Sequence, residues 1–199
     1  MTTVSLLFLL YINDLPDSLS ENTLCAIFAD DTKIYRHIHS HQDHLILQHD
    51  INSIFNWSLT WGLTFNKSKC NIISIKRASN HLLFNYEMDQ SLLPRVTTAP
   101  DLGIKIANSL KWNAHINELI IKCNKRLWFL KRTLGFNAPY KSKLHTYQTL
   151  IRSVLEYNTP VWNPSTKENI LALERIQRKS TNFITNNPRR PSPDRKSVV

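Results

Sequence analysis

The chain has 199 residues, of which 25 are Lys or Arg and 15 are Asp or Glu, so its formal charge at neutral pH is 25 − 15 = +10. With 42% hydrophobic residues, it can bury one sizeable core or two small ones, which excludes disorder throughout. The longest apolar run, residues 6–12, is shorter than the roughly 20 residues that cross a bilayer. It also lacks the basic lead and the cleavage site of a secretory signal. We therefore expect an intracellular protein, in the cytoplasm or the nucleus, with no membrane partner.

The charge is unevenly distributed along the chain. Residues 1–110 contain 8 basic and 10 acidic residues, a net charge of −2, whereas residues 111–199 contain 17 and 5, a net charge of +12. This asymmetry predicts a basic surface for a polyanion in the second part and is compatible with a cation site in the first. The hydrophobic pattern changes at the same place, from short apolar runs to helical spacing, so we predict a domain boundary near Ser109.

Two short apolar runs, 24–28 and 32–35, flank Ala29, Asp30 and Asp31. Aspartate favours turns, so this segment predicts a β-hairpin with two carboxylates at its tip. Further on, apolar residues at helical spacing predict a helix over 43–61 that ends at Gly62.

Histidines are concentrated between the hairpin and this helix. His37, His39 and His41 alternate, and His44 and His49 follow. On a strand, alternation would place three imidazoles on one face as a zinc site. The polar residues between them favour the alternative, an exposed connection. The three cysteines are odd in number and widely spaced, which is typical of small buried hydrophobic residues rather than of disulfides or a zinc site.

The rest of the first part carries strand signals. Residues 63–65 and 71–75 read as strands around a polar turn at 66–69, and further strand signals occupy 82–106 with a turn at 88–90. With one helix among these strands, the class is α+β.

The second part is helical. Apolar stripes predict helices over 116–130, closed by Gly135, and over 144–155. A third helix is expected after Ser165, which forms a capping-box signature with Glu168. Residues 187–199 are basic, rich in proline and without apolar periodicity, so we predict a disordered tail.

The aspartate pair is the strongest chemical signal. Adjacent carboxylates repel each other unless a cation lies between them, and hard carboxylate oxygens suit Mg²⁺. Spacing alone leaves a second interpretation open, in which Asp30 and Asp31 are only a polar turn.

Resemblance favours the metal site. The segment Phe28-Ala29-Asp30-Asp31 between two apolar strands resembles the metal-binding hairpin of reverse transcriptases, in the form found in non-LTR retrotransposons (LINE elements, jockey-like). Further segments resemble other blocks of the same polymerases in the same order. These are residues 7–16, Trp57, 61–63, 65–66, 69–70, 102–104, 152–157 and 160–162.

The resemblance implies RNA-directed DNA polymerisation by a two-metal mechanism, with Mg²⁺ or Mn²⁺, an RNA template, a DNA primer and dNTPs. It makes Asp30 the principal metal ligand, with Asp31 beside it. Lys69 falls where the family carries a lysine that stabilises or protonates the leaving pyrophosphate, although it can also be read as a solvated turn lysine. Leu102, Gly103 and Ile104 resemble the hairpin that grips the primer end.

The sequence also departs from the family pattern. A further palm aspartate, a Gln-Gly segment and the fingers do not appear before residue 7. We therefore expect a partial reverse-transcriptase palm over 1–110, a thumb-like all-α region over 111–186 and the tail beyond. On this interpretation the chain binds metal weakly or not at all and is inactive alone. The alternatives are a non-catalytic basic nucleic-acid-binding protein and a functionless remnant.

Nucleic-acid contacts are expected on the helical part. Much of the charge in the predicted helix over 116–130 lies off its apolar stripe. A merely solvated face is the alternative. The residues predicted to contact nucleic acid are Lys122, Lys125, Arg126, Lys131, Arg132, Lys141 and Lys143.

Overall fold

The computed structural model of the protein describes residues 3–75 and 84–187. The chain forms two compact units, Met1–Thr97 and Thr98–Val199. The division lies earlier than the boundary expected near Ser109, because a hairpin formed by residues 98–107 packs against the first helix of the second unit. The predicted tail, apart from Asn187, lies outside the described residues.

The first unit begins with helix α1 (Thr3–Tyr11) and a 3₁₀ turn at Leu15–Ser18. An antiparallel hairpin follows, made of β1 (Leu24–Phe28) and β2 (Asp31–Tyr35), and then helix α2 (His41–Thr60). The predicted hairpin and helix are both present.

Helix α2 is delimited by local side-chain and backbone bonds. A capping box between Ser40 and Asp43 satisfies free N–H groups at its start. At its end Gly62 has φ +67°, and the N–H of Leu63 donates to the carbonyl of Ser58 at 2.8 Å, as in a Schellman motif. The helix therefore ends at the predicted glycine.

The remaining strands of the first unit are short. Only β3 (Ile72–Ile73) forms within the strand predicted over 71–75, and it pairs in parallel with β6 (Arg95–Val96). Between them β4 (Glu87–Met88) and β5 (Ser91–Leu92) form a tight hairpin, with the turn close to its predicted position. The strand predicted over 63–65 is wrong, since these residues follow the end of α2 in irregular conformation. The predicted strand signals at 82–83 lie outside the described residues.

The second unit consists of the hairpin β7 (Thr98–Asp101) and β8 (Ile104–Ala107) followed by helices. Helix α3 (Asn113–Leu134) ends at Gly135, as predicted. The helix predicted over 144–155 is composite, with α4 (Tyr140–Tyr147), a π-helical turn (Gln148–Arg152) and α5 (Ser153–Glu156). Helices α6 (Thr159–Trp162) and α7 (Lys167–Ile184) complete it.

The start of α7 differs from the predicted capping box. Thr166, not Ser165, caps the helix, because its hydroxyl accepts the N–H of Asn169 at 3.3 Å. Serine and threonine are adjacent here, and the sequence alone does not say which of them leaves helical geometry.

Each unit has its own core. In the first, five buried residues from the 3₁₀ turn, α2 and the segment 86–88 form the centre: Leu15, Ile51, Ile54, Tyr86 and Met88. In the second, eleven buried residues form one cluster around α3, with Ile116, Cys123 and Ile151 fully buried. Cys123 is a free cysteine with no exposed surface, which confirms it as a small buried hydrophobic residue, and burial raises the pKa of its thiol to about 11. The observed architecture confirms the α+β class, and no helix of the described residues is long and apolar enough to cross a membrane.

Candidate active site

The two aspartates lie at the tip of the β1–β2 hairpin. Phe28 pairs with Asp31, so Ala29 and Asp30 alone form the loop. Ala29 has φ +52°, a left-handed backbone conformation that residues other than glycine rarely adopt. Both carboxylates are exposed. The sharp turn therefore presents two adjacent oxygen donors to solvent, the ligand type that a hard divalent cation takes.

The apolar residues of the hairpin divide between its two faces. Cys25, Ile27 and Ile34 pack against the core, whereas Phe28 and Tyr35 are 60% and 53% exposed. Successive side chains of a strand point to opposite faces, so Phe28 and Tyr35 cannot share the face of Ile27 and Ile34. The apolar contacts of the hairpin with the core therefore come from its inner face.

A buried carboxylate fastens the base of the hairpin to α2. Asp50 is fully buried and accepts the Thr23 hydroxyl at 2.5 Å and the Ser20 N–H at 2.9 Å. Burial opposes its charge, but these hydrogen bonds outweigh burial and hold the pKa of Asp50 below its usual value. The segment that enters β1 is thereby fixed to the helix.

The other end of the hairpin joins the same network. Arg36, directly after β2, donates to the Thr23 hydroxyl at 3.0 Å and to the Glu21 carbonyl at 2.7 Å. Its guanidinium also lies 3.5 Å from Asp43. N–H groups of His39 and Ser40 and the Ser40 hydroxyl lower the pKa of Asp43 to about 2. Both ends of the hairpin are therefore tied to the first half of α2.

Sequence reasoning did not single out Asp50, although a signal was present. The residue lies three positions after Leu47 and four before Ile54, on the apolar stripe of α2. A carboxylate on such a stripe must be paired when buried. Its partners, Ser20 and Thr23, are about 30 residues earlier in the chain, and no sequence pattern marks them as partners of Asp50.

Lys69 lies in a separate turn. The Asn66 side chain accepts the Ser68 N–H at 3.1 Å and the Asn66 carbonyl accepts the Lys69 N–H at 2.9 Å, which shapes the turn predicted at 66–69. The Lys69 side chain is exposed. Within residues 3–75 and 84–187, no hydrogen bond or ion pair joins it to Asp30 or Asp31.

The turn predicted to resemble a primer grip joins β7 and β8. Leu102 and Gly103 both have positive φ, +45° and +81°, and Ile104 is buried. The Tyr157 hydroxyl donates to the Leu102 carbonyl at 3.1 Å, and a Cβ on Gly103 would lie 3.2 Å from the Tyr157 ring. Glycine is therefore required twice, by the backbone angle and by the close ring.

The predicted nucleic-acid contacts divide by exposure. Lys122, Lys125, Arg132 and Lys141 are exposed, and Lys131 is half-buried. Arg126 is also half-buried, and it donates to the Leu150 carbonyl at 2.6 Å.

Lys143 differs from the other basic residues. It is 1% exposed, and its ammonium donates to the Phe136 carbonyl at 2.6 Å and to Asn186 at 2.5 Å. The ammonium also lies 5.1 Å from the ring centre of Phe183. The placement of Lys143 on a nucleic-acid surface is therefore corrected, because it is a buried structural residue that the helical period could not distinguish from a surface lysine.

The histidines lie in and after the connection from β2 to α2. His37 and His39 are exposed, with ring centres 6.2 Å apart, whereas His44 is buried with its Nδ1 2.7 Å from the Tyr86 hydroxyl. In the part of the chain that the structure describes, no three or more His, Cys, Asp or Glu residues come together as metal ligands. This holds for the histidines and for the aspartate pair.

One comparison with known protein families gave a match, and the match covers more than half of the chain. The family model for reverse transcriptase (RNA-dependent DNA polymerase) matches residues 1–126. The chain belongs to the reverse transcriptase family. The reverse transcriptase match includes the Asp30–Asp31 hairpin, Lys69 and the turn at 102–104, and it ends within α3. Comparisons with curated proteins and with solved structures gave no match.

Proposed function

We propose that the chain carries part of the active site of an RNA-directed DNA polymerase from a non-LTR retrotransposon of the LINE, jockey-like type. The observation that supports this most directly is the pair of exposed carboxylates on a two-residue turn, at the tip of a hairpin fixed at both ends by Asp50 and Arg36. A rigid base and an accessible tip are what a ligand hairpin needs. The order of the family-like segments supports the retrotransposon type.

The proposed division of labour follows from residue chemistry. Asp30 and Asp31 would hold Mg²⁺ or Mn²⁺ through carboxylate oxygens. Bound divalent ions supply activation of the primer hydroxyl and stabilisation of the leaving pyrophosphate. The Lys69 ammonium would stabilise the negative charge of that pyrophosphate or protonate it. The Leu102–Gly103 turn, held by Tyr157, would contact the primer end.

We further propose that residues 1–199 alone do not extend a primer. Two carboxylates leave most of the coordination of two ions to other groups, and Mg²⁺ gives up its water reluctantly. The expected result is no template-dependent dNTP incorporation on an RNA template with Mg²⁺ or Mn²⁺. Incorporation that Asp30→Ala abolishes would contradict inactivity and strengthen the polymerase assignment.

Manganese can test the metal site without activity. In NMR spectra, Mn²⁺ should selectively broaden the amide signals of residues 28–32, and Asp30→Asn with Asp31→Asn should remove this effect. Asp17→Asn, which removes an exposed carboxylate elsewhere in the same unit, should leave it unchanged. Broadening that survives loss of both hairpin aspartates, or that never centres on them, would refute the metal-binding hairpin.

A second candidate function is non-catalytic nucleic-acid binding, which the exposed cations Lys122, Lys125 and Arg132 on α3 favour. Phosphate contact predicts affinity that falls steeply with salt. Lys125→Glu with Arg132→Glu should weaken RNA binding and flatten that salt dependence. Lys167→Glu with Lys111→Glu makes the same charge change in the same unit, and an equal loss would mean that net charge alone attracts RNA.

A further inference from the structure

Helix α3 carries large apolar side chains that are exposed and do not pack in the core of the second unit. Trp128, Phe129 and Ile121 are 61%, 57% and 56% exposed. Lys122, Lys125 and Arg132 are exposed on the same helix. We call the two rings and the three cations, without Ile121, the outer face of α3.

The helical period places rings and cations side by side. At about 100° per residue, Lys125 and Arg132 lie opposite the stripe centred on Ile116, with Trp128 on one side of them and Phe129 on the other. The Arg132 guanidinium lies 5.3 Å from the centre of the Trp128 ring. From Ile121 to Leu134 the sequence has no acidic residue. Glu118, one turn earlier, pairs with Lys105.

Packing does not explain the exposed rings. The opposite face of α3 already fills the core of the unit with Ile116, Leu119, Cys123, Leu127 and Leu130. The cations attract an anionic partner, and the exposed rings can stack on a flat apolar surface. A nucleic-acid duplex offers phosphates but keeps its bases stacked inside. A single strand offers both, since its unstacked bases can lie on aromatic rings while its phosphates meet lysine and arginine.

We propose that the outer face of α3 binds single-stranded RNA, with bases stacked on Trp128 and Phe129 and phosphates held by Lys122, Lys125 and Arg132. The inference rests on the proposed function for its choice of RNA, the strand that an RNA-directed polymerase copies while unpaired. It adds a stacking surface outside the residues assigned to metal, pyrophosphate or primer.

The test compares RNA probes bound by the full chain in EDTA, so that the metal hairpin plays no part. An unstructured single-stranded RNA should bind more tightly than a duplex RNA of equal length and should quench the tryptophan fluorescence of the unchanged chain more than that of Trp128→Phe. Trp128→Ala should weaken single-strand binding by about tenfold, in line with one lost base stack. Trp128→Phe should retain most of the affinity, and Phe129→Ala should repeat the loss.

Ile121→Ala is the matched control, because Ile121 is about as exposed as Trp128 on the same helix but has no π-system and no proposed contact with RNA. It should change single-strand affinity by less than about twofold. The proposal fails if Ile121→Ala costs as much as Trp128→Ala, if duplex RNA binds as tightly as the single strand, or if Trp128→Ala equally weakens binding of polyglutamate, which has charge but no bases. These outcomes leave the manganese test of the hairpin untouched, so the two proposals fail separately.

Discussion

The two units support their proposed functional residues by different means. In the first, five buried apolar residues form the described core, and the fully buried Asp50 together with Arg36 ties the two ends of the hairpin to α2. In the second, eleven buried residues form one cluster around α3, and the basic side chains outside it are largely exposed. Hydrogen bonds fix the orientation of a segment better than apolar contacts do, because their strength depends on angle. A ligand hairpin that must point two carboxylates correctly benefits from such ties, whereas a surface for a flexible polymer needs only a firm support.

The largest expected effect tests the apolar half of this comparison. Ile116 is fully buried in the second core. Ile116→Ala should lower the free energy of unfolding by about 2–5 kcal/mol, because it removes buried methyl groups and leaves a cavity. Ile121→Ala, on the exposed face of the same helix, should stay within about 0.5 kcal/mol. Denaturant unfolding measures both, and similar losses would mean that α3 does not organise the second unit as described.

The polar half is tested by Asp50→Ala. The change removes the acceptor of the Thr23 hydroxyl and of the Ser20 N–H, and it should lower the free energy of unfolding by about 1–3 kcal/mol. Hydrogen exchange should accelerate across residues 20–36, the hairpin and its flanks, before it does so elsewhere in the first unit. Glu21→Ala is the control, because Arg36 contacts Glu21 through the backbone carbonyl. Unchanged exchange in the hairpin would show that Asp50 does not hold it.

The same contrast explains what the sequence could predict. Helices α2, α3 and α7 were predictable because their apolar period and terminal residues are local signals. The β1–β2 hairpin was predictable because its turn lies between adjacent runs. The parallel β3–β6 pair has two residues in each strand and joins segments more than 20 residues apart, so no local pattern marks it. The site divides in the same way, since Asp30 and Asp31 were visible but the Asp50 network and the Tyr157 contact with Leu102 depend on distant partners.

The two units should also respond differently to acid. In the second, the Nδ1 of His115 accepts the Lys105 N–H at 3.2 Å, and burial lowers the pKa of this histidine. A lowered pKa favours the neutral ring in the folded state, so this stability is present above the unfolded pKa of about 6.5 and is lost as pH falls. In the first, the pKa values of Asp43 and Asp50 are lowered, so their contributions persist above about pH 4 and decline below it.

Hydrogen exchange resolved for each unit, from pH 7 to pH 3, should therefore show the second unit losing protection first. His115→Asn keeps a neutral acceptor and should remove the decline between about pH 6.5 and 5 in the second unit. If the first unit loses protection above pH 5, its acid response comes from groups other than these two aspartates.

The smallest expected effect concerns two turns with positive φ, one in each unit. Ala29 in the hairpin has φ +52° and carries a Cβ, whereas Gly103 has φ +81° and none. Ala29→Gly should relieve about 1–2 kcal/mol of left-handed strain, while the added entropy of the unfolded chain should cost about 0.5–1 kcal/mol, for a net stabilisation of up to about 1.5 kcal/mol. Gly103→Ala should act in the opposite direction, because the added Cβ meets both the backbone angle and the Tyr157 ring. If Ala29→Gly stabilises the chain but lowers manganese binding at residues 28–32, then the strained alanine serves to aim the carboxylates. If metal binding is unaffected, Asp50 and Arg36 alone set the direction of the hairpin.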